Sequence, residues 1–334
     1  MKRSEVSQMR LLIAYDGSKC ADSALEDLKH AGLPNKGEAV VMAVAEVWLP
    51  PPPPSAYEIV EMATVAKGSL GLERKYMAGS QAVKDADEMA ARAAERFQAD
   101  FPNWKVSHET VWGSSNWELF SKAEAWNADL IVAGSHGRSA LGRLFLGSIS
   151  QWLLNEARCS VRIGREKLVE PGLPVRLLLG LDGSRNAEKA LEQILARNWP
   201  DKSEVRVVAV DQLLELTMAA ELVPIISGSV GECNQDESEY ARRLVAKAAS
   251  RLRTKGLKAE GLVKAGDPKR VLVQLAEEWR ADCIFLGATG LSNRFERFLL
   301  GSTAGAVAAR AHCSVEVVRK RRPSRKSNGD GNQN

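Results

Sequence analysis

Two glycine-spaced segments carry the residues best suited to chemistry. Gly134-Ser135-His136-Gly137 is followed nine residues later by Gly147-Ser148, and Gly287-Ala288-Thr289-Gly290 is followed ten residues later by Gly301-Ser302-Thr303. Each segment comes after a short apolar run, Leu130–Ala133 or Cys283–Leu286, and precedes a helical stretch rich in small residues. Strand, glycine loop and helix in that order make an anion cradle. Glycines let backbone N–H groups approach a phosphate, and the next helix adds the donors and the positive dipole end of its first turn. A Cβ at a loop glycine is expected to point into the phosphate path or to demand a φ that other residues avoid. Ser148 and Ser302 suit helix N-caps, which would bring hydroxyl and backbone donors onto one anion.

The two segments belong to a longer repeat. Glu124-Ala-Trp126-Asn-Ala128-Asp129 recurs as Glu277-Glu-Trp279-Arg-Ala281-Asp282, and Gly113 recurs as Gly266, both 153 residues on. Beyond the loops the offset is 154, matching Cys159-Ser-Val-Arg162 to Cys313-Ser-Val-Glu316. Near the start, Arg10-Leu-Leu-Ile-Ala-Tyr-Asp16-Gly-Ser matches Arg176-Leu-Leu-Leu-Gly-Leu-Asp182-Gly-Ser at an offset of 166. The first half therefore holds 13 extra residues between Asp16 and Gly113. Agreement of this kind defines a tandem duplication.

The elements that must position these residues follow from the apolar runs and their period. Strands are predicted near 10–16, 39–47, 105–111, 129–134 and 159–164, with helices near 18–31, 82–98, 116–126 and 148–157. In the second half, strands fall near 176–182, 204–210, 258–264, 282–287 and 313–318, and helices near 184–197, 236–255, 268–280 and 302–311. This alternation predicts an α/β fold of two doubly wound domains, each with a five-stranded parallel sheet, packed as an internal pseudo-dimer. Ligands of such sheets bind beyond the carboxyl ends of the strands. Asp16, Gly113 and Gly134, like Asp182, Gly266 and Gly287, fall at those ends. The expected division is a first domain over 1–168, a second over 169–320 and a basic, polar tail over 321–334, with a linker at Arg165–Pro174. The run Pro50–Pro54 opens a stretch to Gly79 that the pattern leaves as an extended loop or lid.

Composition excludes several classes. The chain has 334 residues, 45% hydrophobic and 26% charged, ordinary for a globular protein. Its net charge of +4 is concentrated at the end: Arg319, Lys320, Arg321, Arg322, Arg325 and Lys326 oppose Asp330 alone, which leaves the rest of the chain at −1. A near-neutral body offers no electrostatic footprint for nucleic acid or an anionic membrane; only the tail could attract one. No run approaches a membrane span and no signal-peptide core follows Met1, so a cytoplasmic location is expected. Five scattered cysteines form no CxxC motif, and Cys283 reads as a small buried hydrophobe. GxxxxGK[ST], GxSxG and HExxH are absent from the sequence, and neither glycine loop holds a lysine. His136 reads as an exposed loop residue, His30, His108 and His312 as surface or helix-end histidines, and Trp126 and Trp279 as core anchors.

The first strand ending in Asp-Gly-Ser, with G-x-x-G, nine residues and G-S behind it, resembles the universal stress protein family. The likeness covers residues 9–165 and 175–319, so the chain resembles a tandem member. The resemblance implies a five-stranded parallel α/β fold, pairing through the last strands, ATP binding in many members and no defining catalytic activity. Carried over by motif, Asp16 and Asp182 would meet the adenine base, and Val44 and Val210 the adenine edge. Gly134, Gly137, Gly287 and Gly290 would admit ribose and phosphates, and Gly147, Ser148, Gly301 and Ser302 would hold the terminal phosphates. Gly266 opens the family's Gly-Asp-Pro, for which the first half has Gly113-Ser-Ser. The ten-residue second spacer also departs from the pattern. The implied function is a nucleotide-responsive stress or regulatory protein that binds ATP, with or without Mg2+, and acts on an unidentified protein partner. A nucleotide-independent interaction module and a weak Mg-dependent ATPase are the alternatives, slow hydrolysis being the most the residues offer.

The repeat places opposite charges, Arg162 and Glu316, at equivalent positions. If the last strands pair antiparallel about a pseudo-twofold axis, these two meet and disfavour like halves meeting. A single sign change there is expected to leave the chain foldable but more prone to other dimers.

Overall fold

The computed structural model describes residues 8–47, 70–136, 146–165, 173–211, 227–289 and 300–319, with 70–77 and 227–237 described by backbone alone. The first half runs β1 (Met9–Ala14), α1 (Lys19–Asp27) with a 3-10 turn at Leu28–His30, β2 (Gly37–Ala45), α2 (Leu70–Asp100), β3 (Lys105–Trp112), α3 (Ser115–Trp126), β4 (Leu130–Gly134), α4 (Ser148–Glu156) and β5 (Ser160–Gly164). The second runs β6 (Arg176–Gly180), α5 (Arg185–Ala196), β7 (Glu204–Asp211), α6 (Ser227–Arg253), β8 (Lys258–Ala265), α7 (Pro268–Glu278), β9 (Cys283–Gly287), α8 (Ser302–Arg310) and β10 (Ser314–Val318).

The strands form one 10-stranded sheet in the order β3-β2-β1-β4-β5-β10-β9-β6-β7-β8. Every pairing is parallel except β5 with β10. Each half is thus a doubly wound five-stranded sheet, and the two are joined edge to edge as an internal pseudo-dimer. In the antiparallel pair, Val317 lies opposite Val161, Glu316 opposite Arg162 and Val315 opposite Ile163. Equivalent residues exchange places in this register, so the pseudo-twofold axis passes through the Arg162–Glu316 pair.

Strand alternation sends successive side chains to opposite faces, and the faces join the halves differently. On the face covered by α3, α4, α7 and α8, Val161 and Ile163 of β5 share one core with Val315 and Val317 of β10. On the other face the apolar cores stay separate, one under α1 and α2 and one under α5 and α6. Arg162 and Glu316 lie between them, both wholly buried. Arg162 forms a bidentate pair with Asp27, Nε to Oδ2 at 2.6 Å and Nη2 to Oδ1 at 3.0 Å. Its Nη1 reaches Glu316 Oε2 at 3.2 Å and Cys283 Sγ at 3.3 Å. Arg197 pairs with both carboxylate oxygens of Glu316 and donates to Ala31 O at 2.9 Å. Ser314 donates to Asp27 Oδ1 at 2.7 Å. Two acids and two bases close a neutral network with charge-assisted bonds throughout.

Several expectations change. Helix α2 begins at Leu70 and α6 at Ser227, well before the predicted starts at 82 and 236. The stretch that sequence left open up to Gly79 is helical from Leu70; residues 48–69, Pro50–Pro54 among them, lie outside the described residues. The helices account for four of the 13 extra residues, α2 having 31 and α6 having 27. Arg319, which opens the basic run, is held by the first half: its N–H donates to Ser160 Oγ and its guanidinium to Leu154 O. Of the two readings offered for His30, the helix-end one holds: it closes the 3-10 turn and is buried. Cys283 is buried as expected, and accepts from Arg162 besides.

The burial of Arg162 also corrects the expected tolerance of a sign change there. Arg162→Glu would seal a third carboxylate beside Asp27 and Glu316, away from water. Breaking a buried pair by removing one partner costs about 3–5 kcal/mol. Arg162→Met is expected to lose that much in urea unfolding, and Arg162→Glu to lose more and accumulate as unfolded or aggregated protein. A loss below 1 kcal/mol for Arg162→Met would show that the network is solvated.

Candidate functional site

The described residues of the first glycine loop lie at the carboxyl ends of β1 and β4. Strand β4 ends on Gly134, the described loop continues to His136, and α4 starts behind Gly147. Gly134 has a structural task. A Cβ there would lie 2.6 Å from the carbonyl carbon and oxygen of Cys20 and 2.9 Å from Ala21 N, in the first turn of α1. At Gly287 it would lie 2.5 Å from Ala187 N and 2.6 Å from Asn186 C. The expectation that a Cβ here would block phosphate, or need an unusual φ, is corrected. It would strike the backbone of the helix that crosses the strand end, and neither glycine has a positive φ. Gly137 and Gly290 lie outside the described residues.

Gly147 and Gly301 are themselves the N-caps, with φ of −61° and −63°, and Ser148 and Ser302 are the first helical residues. The serines are therefore not the expected caps. The cap N–H groups turn back into the loop, Gly147 to Ser135 O at 2.8 Å and Gly301 to Ala288 O at 2.6 Å. In α4 the N–H groups of Ser148, Ile149 and Ser150 lack intrahelical acceptors by position. Ser150 Oγ donates to Gly134 O at 2.6 Å, fixing the helix start to the strand end. The second half has Ala304 at that position and makes no such tie.

Asp16 and Asp182 serve the strand-to-helix turn. Asp16 Oδ1 accepts from Ser18 N at 3.0 Å, and Asp182 Oδ1 from Ser184 N at 2.9 Å. Ser18 and Ser184 then cap α1 and α5, accepting from Ala21 N and Ala187 N at 3.1 Å. Asp16 is half-buried, Asp182 exposed. Val44 and Val210 pack, partly buried, against the core beneath α3 and α7. Gly113 and Gly266 follow β3 and β8 with φ of +134° and +130°, a conformation suited to glycine. Their N–H groups donate to Ala45 O and Asp211 O. Asp267 caps α7 with Pro268 behind it, while Ser114 occupies the matching cap of α3. Replacing Gly-Asp-Pro by Gly113-Ser-Ser thus preserves the backbone course.

The loops are tied to α1 and α5 by different chemistry. In the first half Ser135 Oγ lies 3.7 Å from Cys20 Sγ and 3.1 Å from His136 Nδ1, and Ser18 Oγ lies 3.4 Å from His136 O. In the second, Asn186 bonds Thr289. His136 is half-buried rather than exposed, and its buried Nε2 finds no partner among the described residues. Burial, and then the charge of Arg165, hold its pKa below the usual histidine value. No group of three or more His, Cys, Asp or Glu among the described residues is placed to hold a metal ion. No described helix is long and apolar enough to cross a membrane.

The profile of the universal stress protein family matches residues 9–164 and 175–319. The chain belongs to that family, as a tandem member. A universal stress protein of Mycobacterium tuberculosis is 26% identical over 330 residues, covering 94% of this chain and 98% of its own length. One from Synechocystis is 30% identical over 149 residues, 43% of this chain and 96% of its own. Among solved structures, a universal stress protein from Archaeoglobus fulgidus covers 93% of this chain and 98% of its own at a TM-score of 0.58 and 21% identity. A Pseudomonas aeruginosa protein described as functionally unknown covers 93% of this chain and 92% of its own, at 0.53 and 15%. Both share the fold.

Since the Gly134 clash is with backbone, Gly134→Ala is expected to destabilise the chain by about 1–3 kcal/mol, as overpacking does. Thermal unfolding without ligand checks this, and an unchanged Tm would return Gly134 to a purely ligand-facing role.

Proposed function

We propose that the chain binds ATP at the carboxyl ends of β1 and β4 in its first half, and that occupancy regulates its contact with a protein partner. The observation that carries this reading is the start of α4. The N–H groups of Ser148, Ile149 and Ser150, lacking intrahelical acceptors, and the positive end of the helix are fixed by Ser150 to the end of β4, beside the glycine loop. The Nε2 of His136, without a partner among the described residues, and the half-buried Asp16 lie at the same strand ends, which fits a polar ligand there. Gly147, Ser148 and the loop would hold phosphates, with Asp16 and Val44 toward the base. Mg2+ would enter with the phosphates, since the described residues form no metal cluster of their own. The second half offers Gly266, Gly287, Gly301, Ser302, Asp182 and Val210 in the same frame, without the serine tie and behind the longer spacer. Its site is the weaker of the two.

A ligand-independent interaction module is the second reading. What favours it is that Gly134, Gly287, Asp16 and Asp182 each have a structural task that needs no nucleotide.

Calorimetry of nucleotide-stripped protein with Mg-ATP separates the two. One equivalent bound at micromolar Kd, about −8 kcal/mol, is the expected result. Two equivalents would bring in the second half, and no binding would leave the interaction module. Asp16→Asn keeps an oxygen for the Ser18 N–H and removes the charge. It is expected to keep the Tm and to weaken ATP by about tenfold, the scale of a charged hydrogen bond. Unchanged affinity would confine Asp16 to the turn.

A further inference from the structure

The helices that start at the phosphate loops end at the junction between the halves. Helix α4 has nine residues, a rise of about 13 Å, and its last carbonyls have no intrahelical donors. They are met from the other half: Arg319, one residue beyond β10, donates through Nη2 to Leu154 O and lies 3.5 Å from Asn155 O. Arg165, one residue beyond β5, does the same for α8 by donating to Ala308 O at 2.6 Å, and it also donates to Cys313 O, outside the helix, at 3.2 Å. Leu154 and Ala308 are equivalent positions, as are Arg165 and Arg319. The main chains repeat the symmetry, Arg319 N to Ser160 Oγ at 3.3 Å and Arg165 N to Ser314 Oγ at 2.9 Å. Burial pushes the Arg319 pKa down to about 10, so the guanidinium remains charged at neutral pH.

We propose that Arg319 is a positioning residue for the first half's phosphate site, acting from the second half through α4, and that Arg165 plays the reciprocal part for α8. The proposal rests on the nucleotide reading above. A fixed cation at the C-terminus of a short helix satisfies its last carbonyls and reinforces its dipole. Both effects hold the first-turn donors of α4 in place, and those are the groups offered to phosphate. Among the described residues neither half carries its own cap. The residue that completes the helix of one half directly follows the other half's final strand, so each phosphate helix is complete only when the halves are joined.

The test uses the full chain, with Mg-ATP as the probe. Arg319→Met keeps the apolar stem and removes the charge. It is expected to weaken ATP binding roughly three- to tenfold, the range of a helix-end charge, and Arg319→Lys to recover most of the loss. A second variant controls for general loosening of the junction. Gly32 has a φ of +63°, and a Cβ there would lie 2.8 Å from Trp199 of the other half, on the sheet face away from α4. Gly32→Ala is expected to lower the Tm and leave ATP affinity unchanged. Equal affinity in Arg319→Met and wild type, or equal weakening by Gly32→Ala and Arg319→Met, would overturn the proposal. Hydrogen exchange supplies a readout that needs no nucleotide. Arg319→Met should speed exchange in α4 and spare α8, and Arg165→Met should do the reverse. If wild type binds no ATP, the nucleotide reading fails on that ground, and unchanged α4 exchange in Arg319→Met separately overturns the cap.

Discussion

The architecture depends on one ion pair that water does not reach. Arg162 and Glu316 face each other where two five-stranded sheets become one, and each is neutralised within its own half, by Asp27 and by Arg197. The cross-contact therefore joins two prepaired units and leaves no bare charge in the interior. Buried ion pairs contribute little to net stability relative to a packed apolar core. What this one contributes is discrimination. An axis that brought Arg162 onto a second Arg162 would bury two like charges, so only unlike halves close the sheet.

The two faces of the junction divide the work. Beneath α4 and α8 the core is continuous across β5 and β10, and supplies the undirected attraction of apolar burial. On the opposite face the cores of the halves stay apart, and the network of Asp27, Arg162, Arg197 and Glu316 occupies the gap. One face holds the halves together while the other sets their identity and register. Arg165 and Arg319 sit just beyond this strip, which places the helix ends that lead to the glycine loops within reach of the junction.

Most of the frame was legible in the sequence, because buried parallel strands read as short apolar runs and the duplication gave each run a second witness. The early starts of α2 and α6 were hidden by glycines and polar residues, Gly71 and Gly79 in one, Gly228 and Gly231 in the other, that lower helix propensity. The pairing of Arg162 with Glu316 was legible because the repeat register places them. Asp27 and Arg197 were not, since their counterparts are Gln193 and Ala31 and no pattern marks them. The task of Gly134 depends on Cys20 and Ala21 of a helix far earlier in the chain, which local spacing does not reveal. Arg319 was concealed by the basic run that follows it. The strand-end location of the candidate site could be read in advance. The division of its residues between holding the turn and facing a ligand could not, because it depends on which hydrogen bonds each side chain already makes.

Joining β5 to β10 also changes what the molecule shows its neighbours. Two separate sheets would have four open rims, and the fused sheet has two, β3 and β8. Exposed strand rims invite another chain to add on and extend the sheet without limit. On the surviving rims the exposed positions include Lys105 and His108 in β3, beside Ser107 and Trp112, and Lys258, Glu260 and Lys264 in β8. Charges along a rim resist strand addition, because an incoming strand would have to strip them of water. Strands β5 and β10, each apolar but for one charge, Arg162 or Glu316, are the ones that the covalent duplication hides. Linking two copies in one chain thus keeps the most adhesive strands out of circulation at any protein concentration, including the low levels at which a two-chain dimer would come apart.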